Sequence, residues 1–252
     1  MFDLRARKNG RPLLVGHRGA MAVAPENTMH SFEAALAGGA DLIELDVQLS
    51  KDKEIMIVHD FDLAYKTGQP GRVNQFTAAE LRAMDMGSHY SPDYAGAQMP
   101  YLHEVLTWAK GRMGLMIEFK HEPPVYSDES LEERTIQMVR DHGMDDEVVF
   151  ISFDQFSLAR AKKIAPEIAT SYVYIARVID PIAQLSGLEV DALSPATNFM
   201  TKDEVKRIQA AGLACSPGGL WWDYEILLDW GVDTVSANDP SSVKWDELLA
   251  KA

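Results

Sequence analysis

Short apolar runs alternate along the chain with longer stretches in which apolar residues recur every three or four positions. The short runs are typical of buried strands, and the longer periodicity is typical of helices that bury one face. Strands are expected to begin at about residues 13, 41, 55, 114, 148, 170, 190, 213 and 234. Helical patterns follow most of these runs, so the sequence predicts an α/β fold built from βα units.

No helical pattern separates the second expected strand from the third. The segments DVQLS and EIMIVHD flank only a polar turn, residues 51–53, which predicts a hairpin. The returning strand would bring His59 to the level of Glu44 and Asp46. Eight strands then remain, and eight βα units over 252 residues match the size of a TIM (β/α)8 barrel. A doubly wound open sheet is the alternative, but no G-x-G-x-x-G turn follows the first expected strand.

Residues 1–252 are expected to form a single TIM-barrel domain with a small insertion at about residues 61–100, after the third expected strand. The insertion is rich in glycine, proline and aromatic residues and contains one short helical signal, TAAELRAMD. We expect it to lie on the upper face of the barrel, where the strands end.

The balance of charges limits the classes of partner. The chain has 38 acidic and 24 basic residues and a formal net charge of −14, so no net positive field would attract a nucleic acid. A small anionic substrate is compatible with this balance where cationic side chains gather locally.

The sequence also bears on location. No stretch reaches the roughly 18 apolar residues of a membrane span, and the charged N-terminal segment does not resemble a signal peptide. The single cysteine, Cys215, excludes an internal disulfide and a cysteine-based zinc cluster, which agrees with a reducing compartment. We therefore expect a cytoplasmic protein without integral membrane association.

Two carboxylates lie two residues apart in the run LIELDVQ, and a third ends the run GLMIEFK. In a strand, Glu44 and Asp46 share one face, and so do Glu118 and Lys120. Acids on a buried face need a cation, a proton or a lysine between them. Because a barrel places its chemistry where the strands end, the three acids predict a site for one divalent cation, Mg²⁺ or Ca²⁺. The plainer alternatives are a solvated edge strand and a buried Glu118–Lys120 ion pair.

Two histidines stand near strand ends at the same expected mouth, His17 and His59. Histidine titrates near neutral pH, so this pair is predicted to supply a general acid and a general base. Arg18 could bind two phosphoryl oxygens with its planar fork, and Lys120 adds a further positive charge, which favours an anionic substrate. The other histidines lack this setting and are expected on the surface or on helices: His30, His89, His103, His121 and His142.

The segment PENT, residues 25–28, is expected to begin a helix. Pro25 fixes φ for a first helical turn, and Glu26 and Asn27 would lie beside its exposed N–H groups, with Asn27 as a candidate cap. Capping alone explains such residues in most proteins.

Taken together, these residues resemble the glycerophosphodiester phosphodiesterase family in its bacterial cytosolic form. The matching segments run through most of the chain: GHRG at 16–19, PENT at 25–28, FEAALAGGADLIELDV at 32–47, VHD at 58–60, MPYLHEVL at 99–106 and IEFK at 117–120. The resemblance implies a TIM barrel with a small insertion after VHD, a divalent metal, and hydrolysis of glycerophosphodiesters to sn-glycerol 3-phosphate and an alcohol.

The resemblance also implies a role for each matching residue. Three acids match the family's metal ligands: Glu44, Asp46 and Glu118. Two histidines match its acid/base pair: His17 and His59. The residues that match its substrate contacts are Arg18 and Lys120, at the phosphate, and Glu26, in a supporting role near the metal and the glycerol.

The last third of the chain departs from the family pattern. Where the family has a strand ending in WTVN, this chain reads ACSPGGLWWDYE, and the family's late TDxP appears as ANDP at 237–240. Trp222, or its neighbour Trp221, is expected to replace the missing aromatic wall beside the substrate. The residues of the metal site all match the family, whereas those of the pocket for the alcohol do not.

Two other functions fit the same residues. The nucleophile for hydrolysis could be water or the glycerol 2-hydroxyl, which would form a cyclic phosphate, and a related lyase would stop at that cyclic product. The alternative outside enzymes is an inactive barrel that binds a phosphorylated ligand, although every acid, base and metal ligand of the motif is present.

Overall fold

The structure is a computed structural model that describes residues 1–121, 130–219 and 223–251. Its strands are β1 Leu13–Gly16, β2 Leu42–Leu49, β3 Ile55–Ile57, β4 Gly114–Phe119, β5 Val148–Ser152, β6 Ala169–Tyr174, β7 Ala192–Pro195, β8 Ala214–Cys215 and β9 Thr234–Ala237. Its α-helices are α1 Met29–Ala37, α2 Ala64–Thr67, α3 Ala78–Arg82, α4 Leu102–Ala109, α5 Ser130–Asp141, α6 Gln155–Ile164, α7 Lys202–Ala210, α8 Tyr224–Trp230 and α9 Trp245–Leu249. Every expected strand is confirmed within two residues of its expected start. No helix in the described ranges has both the length and the apolar character to span a bilayer.

Eight of the strands form a parallel sheet in the order β8-β7-β6-β5-β4-β2-β1-β9. At the seam between β8 and β9, the Asp233 N–H donates to the Cys215 carbonyl at 2.9 Å, and the hydroxyl oxygens of Ser216 and Thr234 lie 2.7 Å apart. The ring is therefore nearly closed, and the predicted TIM barrel is confirmed. The alternative of a doubly wound open sheet is wrong, because successive strands are neighbours and the last lies beside the first.

The expected hairpin is also present. β3 pairs antiparallel with the end of β2, with Val47 opposite Ile57. Beyond this ladder the Val58 N–H donates to the Asp46 carbonyl oxygen at 2.9 Å. His59 follows directly, so the hairpin returns it to the level of the acids on β2.

The barrel interior changes from apolar at the base to polar at the mouth. Near the base, apolar side chains of most strands form one cluster, and Phe2 and Leu4 pack against it from the N-terminal segment. Alternate residues of β2 follow the change: Leu42 belongs to the cluster, while Glu44 and Asp46 lie on the same face nearer the mouth. The intervening apolar residues of β2 pack outward against helices.

Three aspartates, here called the base aspartates, secure the base of the barrel in the same way: Asp41, Asp191 and Asp233. Each stands one residue before a strand and accepts a backbone N–H from a neighbouring strand. Asp41 accepts the N–H of Leu14 at 2.8 Å, Asp191 accepts that of Thr170 at 2.7 Å, and Asp233 accepts that of Cys215 at 2.8 Å. Each aspartate also has a basic partner: Arg11 and Lys8 pair with Asp41, Lys162 pairs with Asp191, and Arg7 pairs with Asp233. These charge-assisted bonds fix the start of each strand against its neighbour.

Residues 61–100 form a layer with a small core of its own, in which Leu63 and Leu81 are fully buried. The hydroxyls of Tyr90 and Tyr94 donate to backbone carbonyls of the loop between β1 and α1, at 2.6 and 3.0 Å. The sequence indicated α3 in this segment but not α2, because four residues are too few to show a helical period. The layer therefore contacts the loop that carries the GHRG and PENT segments.

Candidate active site

Three carboxylates meet at the mouth of the barrel. Glu44 and Asp46 point inward from β2, and Glu118 points inward from β4, where it stands in register with Asp46. One carboxylate oxygen of each lies within 4.8 Å of the others, and all three residues are buried. The alternative of a solvated edge strand is therefore wrong, and the three acids could hold one metal ion.

The protein itself balances the charge of this cluster only in part. Lys120 Nζ lies 2.7 Å from Glu118 Oε1 and 3.4 Å from Asp46 Oδ1. Burial and the charges of Asp46 and Glu118 raise the pKa of Glu44 well above its usual range. Burial and Asp46 also raise the pKa of Glu118. For Asp46 burial acts in the same direction, but the charge of Lys120 and further neighbours outweighs it and lowers the pKa. The Glu118–Lys120 ion pair exists, but it leaves Glu44 without a full counter-charge.

Two oxygens of the cluster, Asp46 Oδ1 and Glu118 Oε1, are buried and accept no well-directed hydrogen bond from any described residue. The Lys120 ammonium group lies within ion-pair distance of both oxygens and supplies one positive charge between them. Buried acceptors of this kind are rare in folded proteins and need an explanation. A set of carboxylate oxygens fits a hard divalent cation and does not fit a soft metal.

The segment GHRG forms the turn that follows β1. Arg18 has a φ of +50°, a left-handed conformation that few residues other than glycine adopt, and its N–H donates to Glu44 Oε2 at 2.9 Å. Gly19 is required beside it, since its φ is +83° and a Cβ there would collide with Ser31 Oγ. The turn holds Arg18 against the acids, with its Nε 3.7 Å from Asp46 Oδ2.

Asn27 does not cap α1, so that expectation is wrong. Thr28 is the N-cap, and its side chain accepts the Ser31 N–H. Asn27 has a φ of +54° and turns inward, where its side-chain amide donates to Asp46 Oδ2 at 2.8 Å. The buried carboxylate offers a charge-assisted hydrogen bond, which is stronger than a neutral bond at a helix end. Asn27 thereby orients one of the three acids.

His17 follows β1 directly and faces the acids. Its Nδ1 lies 2.9 Å from Asn238 Oδ1, and its Nε2 lies 4.0 Å from Glu44 Oε2. Because an amide oxygen only accepts, this contact assigns the proton to Nδ1 and leaves the lone pair on Nε2. Burial and the charge of Arg18 lower the pKa of His17, which favours the neutral imidazole.

His59 stands beyond β3 and is oriented by the next residue. Its Nδ1 donates to Asp60 Oδ1 at 2.8 Å, and this bond is the main cause of the low pKa of Asp60. Gln48, the next inward residue of β2 after Asp46, donates its amide to the carbonyl oxygens of residues 58, 59 and 60 at 2.9 to 3.2 Å. The second predicted histidine is therefore held at the same mouth as the first.

Glu26 lies behind Arg18. Its Oε1 accepts hydrogen bonds from Arg18, at 2.9 Å, and from Lys66. Burial opposes ionisation of this carboxyl, but the charges of Lys66 and Arg18 outweigh burial and lower its pKa. In the described contacts Glu26 thus pairs with two basic residues and does not join the acid cluster.

A cavity of about 420 Å³ opens above the acids. Its charged side contains six predicted site residues: His17, Arg18, Glu44, His59, Glu118 and Lys120. Its other side consists of uncharged residues from the ends of β5 to β9, among them Phe153, Tyr174, Ser194 and Ser216. Trp222, the predicted aromatic wall, lies outside the described residues. The cavity therefore brings two of the predicted acids, both histidines and both basic residues to one concave site.

Four residues that orient this site were missed by sequence reasoning: Gln48, Asp60, Lys66 and Asn238. Gln48 continues the two-residue period of the acids, and Asp60 follows a predicted histidine, so both had a local signal. The only sequence signal at Asn238 was the departure of the ANDP segment from the family pattern. No sequence signal marked Lys66 as part of the site. His121 was expected on the surface or on a helix, but its side chain is only 6% exposed and its Nε2 lies 2.7 Å from the buried carboxylate of Glu132.

Comparison with known sequences decides the family. The model of the Glycerophosphoryl diester phosphodiesterase family matches residues 17–242. The chain belongs to this family. A glycerophosphodiester phosphodiesterase of Caldanaerobacter subterraneus subsp. tengcongensis is 30% identical over 239 residues, which cover 92% of this chain and 96% of the relative. A glycerophosphodiester phosphodiesterase of Bacillus subtilis is 30% identical over 250 residues, which cover 91% and 84%. The predicted family and its phosphoric diester hydrolase class are confirmed.

Solved structures of this phosphodiesterase family agree with the fold. An Oleispira antarctica phosphodiesterase, in complex with the product sn-glycerol-3-phosphate, superimposes with a TM-score of 0.86 at 29% identity. The match covers 95% of this chain and 97% of that one.

Proposed function

We propose that this chain hydrolyses glycerophosphodiesters, with one divalent cation, to sn-glycerol 3-phosphate and an alcohol. The observation that carries the proposal is that two acids, two histidines and two basic side chains line one cavity, with the third acid, Asp46, directly beside the other two. The product complex of the Oleispira antarctica relative supports the same class of product. An inactive binding barrel is disfavoured, because a site that only binds has no need for an acid/base pair.

Glu44, Asp46 and Glu118 would hold Mg²⁺ or Ca²⁺, which prefer oxygen ligands. When bound, the cation would draw charge from the phosphoryl oxygens and favour attack at phosphorus. The Arg18 N–H on Glu44 and the Asn27 amide on Asp46 fix two of the ligands before the substrate arrives.

Arg18 and Lys120 would receive the phosphate. Both line the cavity and both touch the acid cluster. Burial opposes their charge, but Asp46 and other acids outweigh burial and raise the pKa of both, so both stay protonated. Charge-assisted hydrogen bonds from these groups would stabilise the negative charge that develops on the phosphoryl oxygens.

His17 and His59 would carry the protons. Each has its Nδ1 bonded to a side chain, Asn238 or Asp60, which leaves each Nε2 for the substrate. One imidazole would accept a proton from the attacking hydroxyl, and the other would donate a proton to the leaving alcohol oxygen. The attacking group is either water or the glycerol 2-hydroxyl.

The test is a turnover assay of the wild-type protein on the choline, ethanolamine, glycerol and inositol glycerophosphodiesters, with Mg²⁺, with Ca²⁺ and with EDTA. We expect release of sn-glycerol 3-phosphate that stops with EDTA and returns when a divalent cation is added. Phosphorus NMR identifies the product: a monoester supports hydrolysis, and a cyclic phosphate that accumulates would identify a lyase instead. Lack of turnover under all of these conditions would refute the proposal.

A further inference from the structure

Lys66 is a buried lysine in the layer formed by residues 61–100. It lies in α2, and its side chain is 5% exposed, whereas the adjacent Tyr65 is 82% exposed. A lysine side chain ordinarily extends its ammonium group into water, because burying the charge without a partner is unfavourable. The inward direction of Lys66 therefore needs a structural reason.

Two carboxylates receive the Lys66 ammonium group. Its Nζ donates a hydrogen bond to Glu26 Oε1 and lies 3.2 Å from Asp60 Oδ2. Glu26 belongs to the loop between β1 and α1, and Asp60 belongs to the segment after β3. Lys66 thus joins two loops that approach the mouth from different strands.

Each of these carboxylates also holds a side chain of the candidate active site. Glu26 Oε1 accepts a hydrogen bond from Arg18 at 2.9 Å, and Asp60 Oδ1 accepts one from His59 Nδ1 at 2.8 Å. The result is a continuous series of hydrogen bonds and ion pairs, Arg18–Glu26–Lys66–Asp60–His59. Lys66 occupies its centre, behind the side chains that line the cavity.

We propose that Lys66 is a positioning residue for the reaction, which fixes the His59 imidazole through Asp60 and the Arg18 guanidinium through Glu26. The proposal rests on the function proposed above. A carboxylate that receives a fixed ammonium group keeps one orientation, and it then keeps its second partner in one orientation. Without Lys66 the two carboxylates would lose their shared cation, and each would be free to turn away from its active-site partner.

The local fold holds α2 in place. Leu63, the residue before the helix, is buried in the core of the layer, and its N–H donates to the Gly71 carbonyl at 3.0 Å. The Thr67 hydroxyl donates to the Leu63 carbonyl at 2.9 Å, and Gly68 ends the helix with a φ of +72°. Because both ends of α2 are fixed, Lys66 approaches the site from a defined direction.

The first measurement compares the steady-state kinetics of Lys66→Met and Lys66→Arg with those of the wild type. Lys66→Met is expected to lower kcat by about 10- to 100-fold, as is common when a group that orients an active-site side chain is lost. It should also raise KM, by a smaller factor, because Arg18 is proposed to bind the phosphate. Lys66→Arg keeps the charge and should restore most of the lost kcat.

The second measurement is a double-mutant cycle with Asp60→Asn. Asp60→Asn alone is expected to lower kcat with little change in KM, because it affects His59 and not Arg18. If Lys66 acts on kcat through Asp60, the variant that carries both Lys66→Met and Asp60→Asn should have a kcat no lower than the poorer single variant.

The controls separate positioning from stability. Lys202→Met removes an exposed lysine that pairs with Asp229 at 2.8 Å, and it should leave kcat and KM unchanged. The thermal unfolding midpoint of every variant is measured in parallel. A merely structural role of Lys66 would lower the folded fraction without changing KM, and the losses in the double variant would multiply.

Values of kcat and KM for Lys66→Met within about twofold of wild type, or multiplied losses in the double variant, would overturn the proposal. If Lys66→Met does not fold, Lys66→Gln takes its place, with a loss expected between those of the methionine and arginine variants. A wild type that turns over no glycerophosphodiester would overturn this inference and the proposed function together. An active wild type with unaffected Lys66 variants would overturn this inference alone.

Discussion

The base and the mouth of the barrel place the same types of charged residue in opposite situations. At the base, both oxygens of Asp41 have partners, from the Arg11 guanidinium and the Leu14 N–H. At the mouth, one oxygen each of Asp46 and Glu118 lacks a directed hydrogen bond from any described residue. Charged residues with complete hydrogen bonding stabilise the fold, whereas buried acceptors that lack it can bind a ligand.

The base of the barrel stabilises the folded state, whereas the mouth destabilises it. The base aspartates join neighbouring strands with charge-assisted bonds, which favours the folded state. The crowded acids at the mouth repel one another, which opposes it. Proteins commonly keep such destabilising groups at functional sites, and the rest of the fold offsets them.

The largest expected effect is a loss of catalysis at the mouth without a loss of stability. His17→Ala should lower kcat by about 10²- to 10⁴-fold, the usual range for a positioned acid or base. The unfolding midpoint should stay close to that of wild type, because His17 is half-buried and its Nδ1 has a neutral partner. Kinetics and thermal unfolding of one preparation test both statements, with the exposed His103→Ala as the matched control. A kcat near that of wild type would refute the proposed acid/base role of His17.

The second variant, at Glu44, should lose activity without losing stability. Glu44→Gln keeps an oxygen that can accept the Arg18 N–H but removes one of three crowded carboxyl groups. Loss of this proposed metal ligand should lower kcat/KM by about 10²- to 10³-fold, which corresponds to several kcal/mol of transition-state stabilisation. In EDTA the variant should be at least as stable as wild type, as measured by chemical denaturation. A clear loss of stability in EDTA would show that the acids are not in net repulsion.

At the base, the effect should be on stability alone. Asp41→Asn leaves Arg11 without its charged partner and should lower the free energy of unfolding by about 3 kcal/mol at neutral pH, with kcat unchanged. Burial opposes ionisation of Asp41, but hydrogen bonds from Arg11, Lys8 and the Leu14 N–H outweigh burial and lower its pKa. For an acid with a lowered folded pKa, the stabilisation is complete above the unfolded value, about 3.9, and is lost as pH falls through the folded value.

The difference in stability between wild type and Asp41→Asn should therefore be constant near neutral pH and shrink below about pH 4. Urea denaturation across this range measures it. Asp229→Asn, which removes an exposed partner of Lys202, should change stability by no more than about 0.5 kcal/mol at any pH. A difference for Asp41→Asn that does not depend on pH would mean that its charge is not the stabilising feature.

The smallest expected effect lies at the seam between β8 and β9, which runs from base to mouth. Thr234→Val removes one hydroxyl of a buried pair and should lower the free energy of unfolding by about 1 kcal/mol, because the Ser216 hydroxyl loses its partner. Adding Ser216→Ala removes that unpaired group, so the double variant should lose less than the sum of the single variants. Additive losses in chemical denaturation would argue against a hydrogen bond across the seam.

The sheet and the acid cluster could be predicted because their signals are local. Buried parallel strands need nearly continuous apolar residues, and such runs marked each strand. In β2 and β4 the acids interrupt these runs on the inward face, so the two-residue period placed Glu44 and Asp46 together and added Glu118.

The groups that orient the site could not be predicted, because their contacts depend on closure of the barrel. His17 meets Asn238 from the opposite end of the chain, and no local pattern connects the two. Lys66 lies in a helix of four residues within an irregular segment, where a lysine is ordinarily a surface residue. Asn27 stands one residue before the cap, and only the nearby Asp46 decides that it turns inward.

β2 carries two of the three acids and pairs with three other strands. β4 pairs with it along residues 42–47, while β1 pairs with its start and β3 with its end. Opening this strand locally requires breaking its pairing with three neighbours, so its amide protons should be among the slowest in the chain to exchange with solvent. The acids therefore sit on one of the least dynamic parts of the chain, and adjustment of the site falls to the surrounding loops.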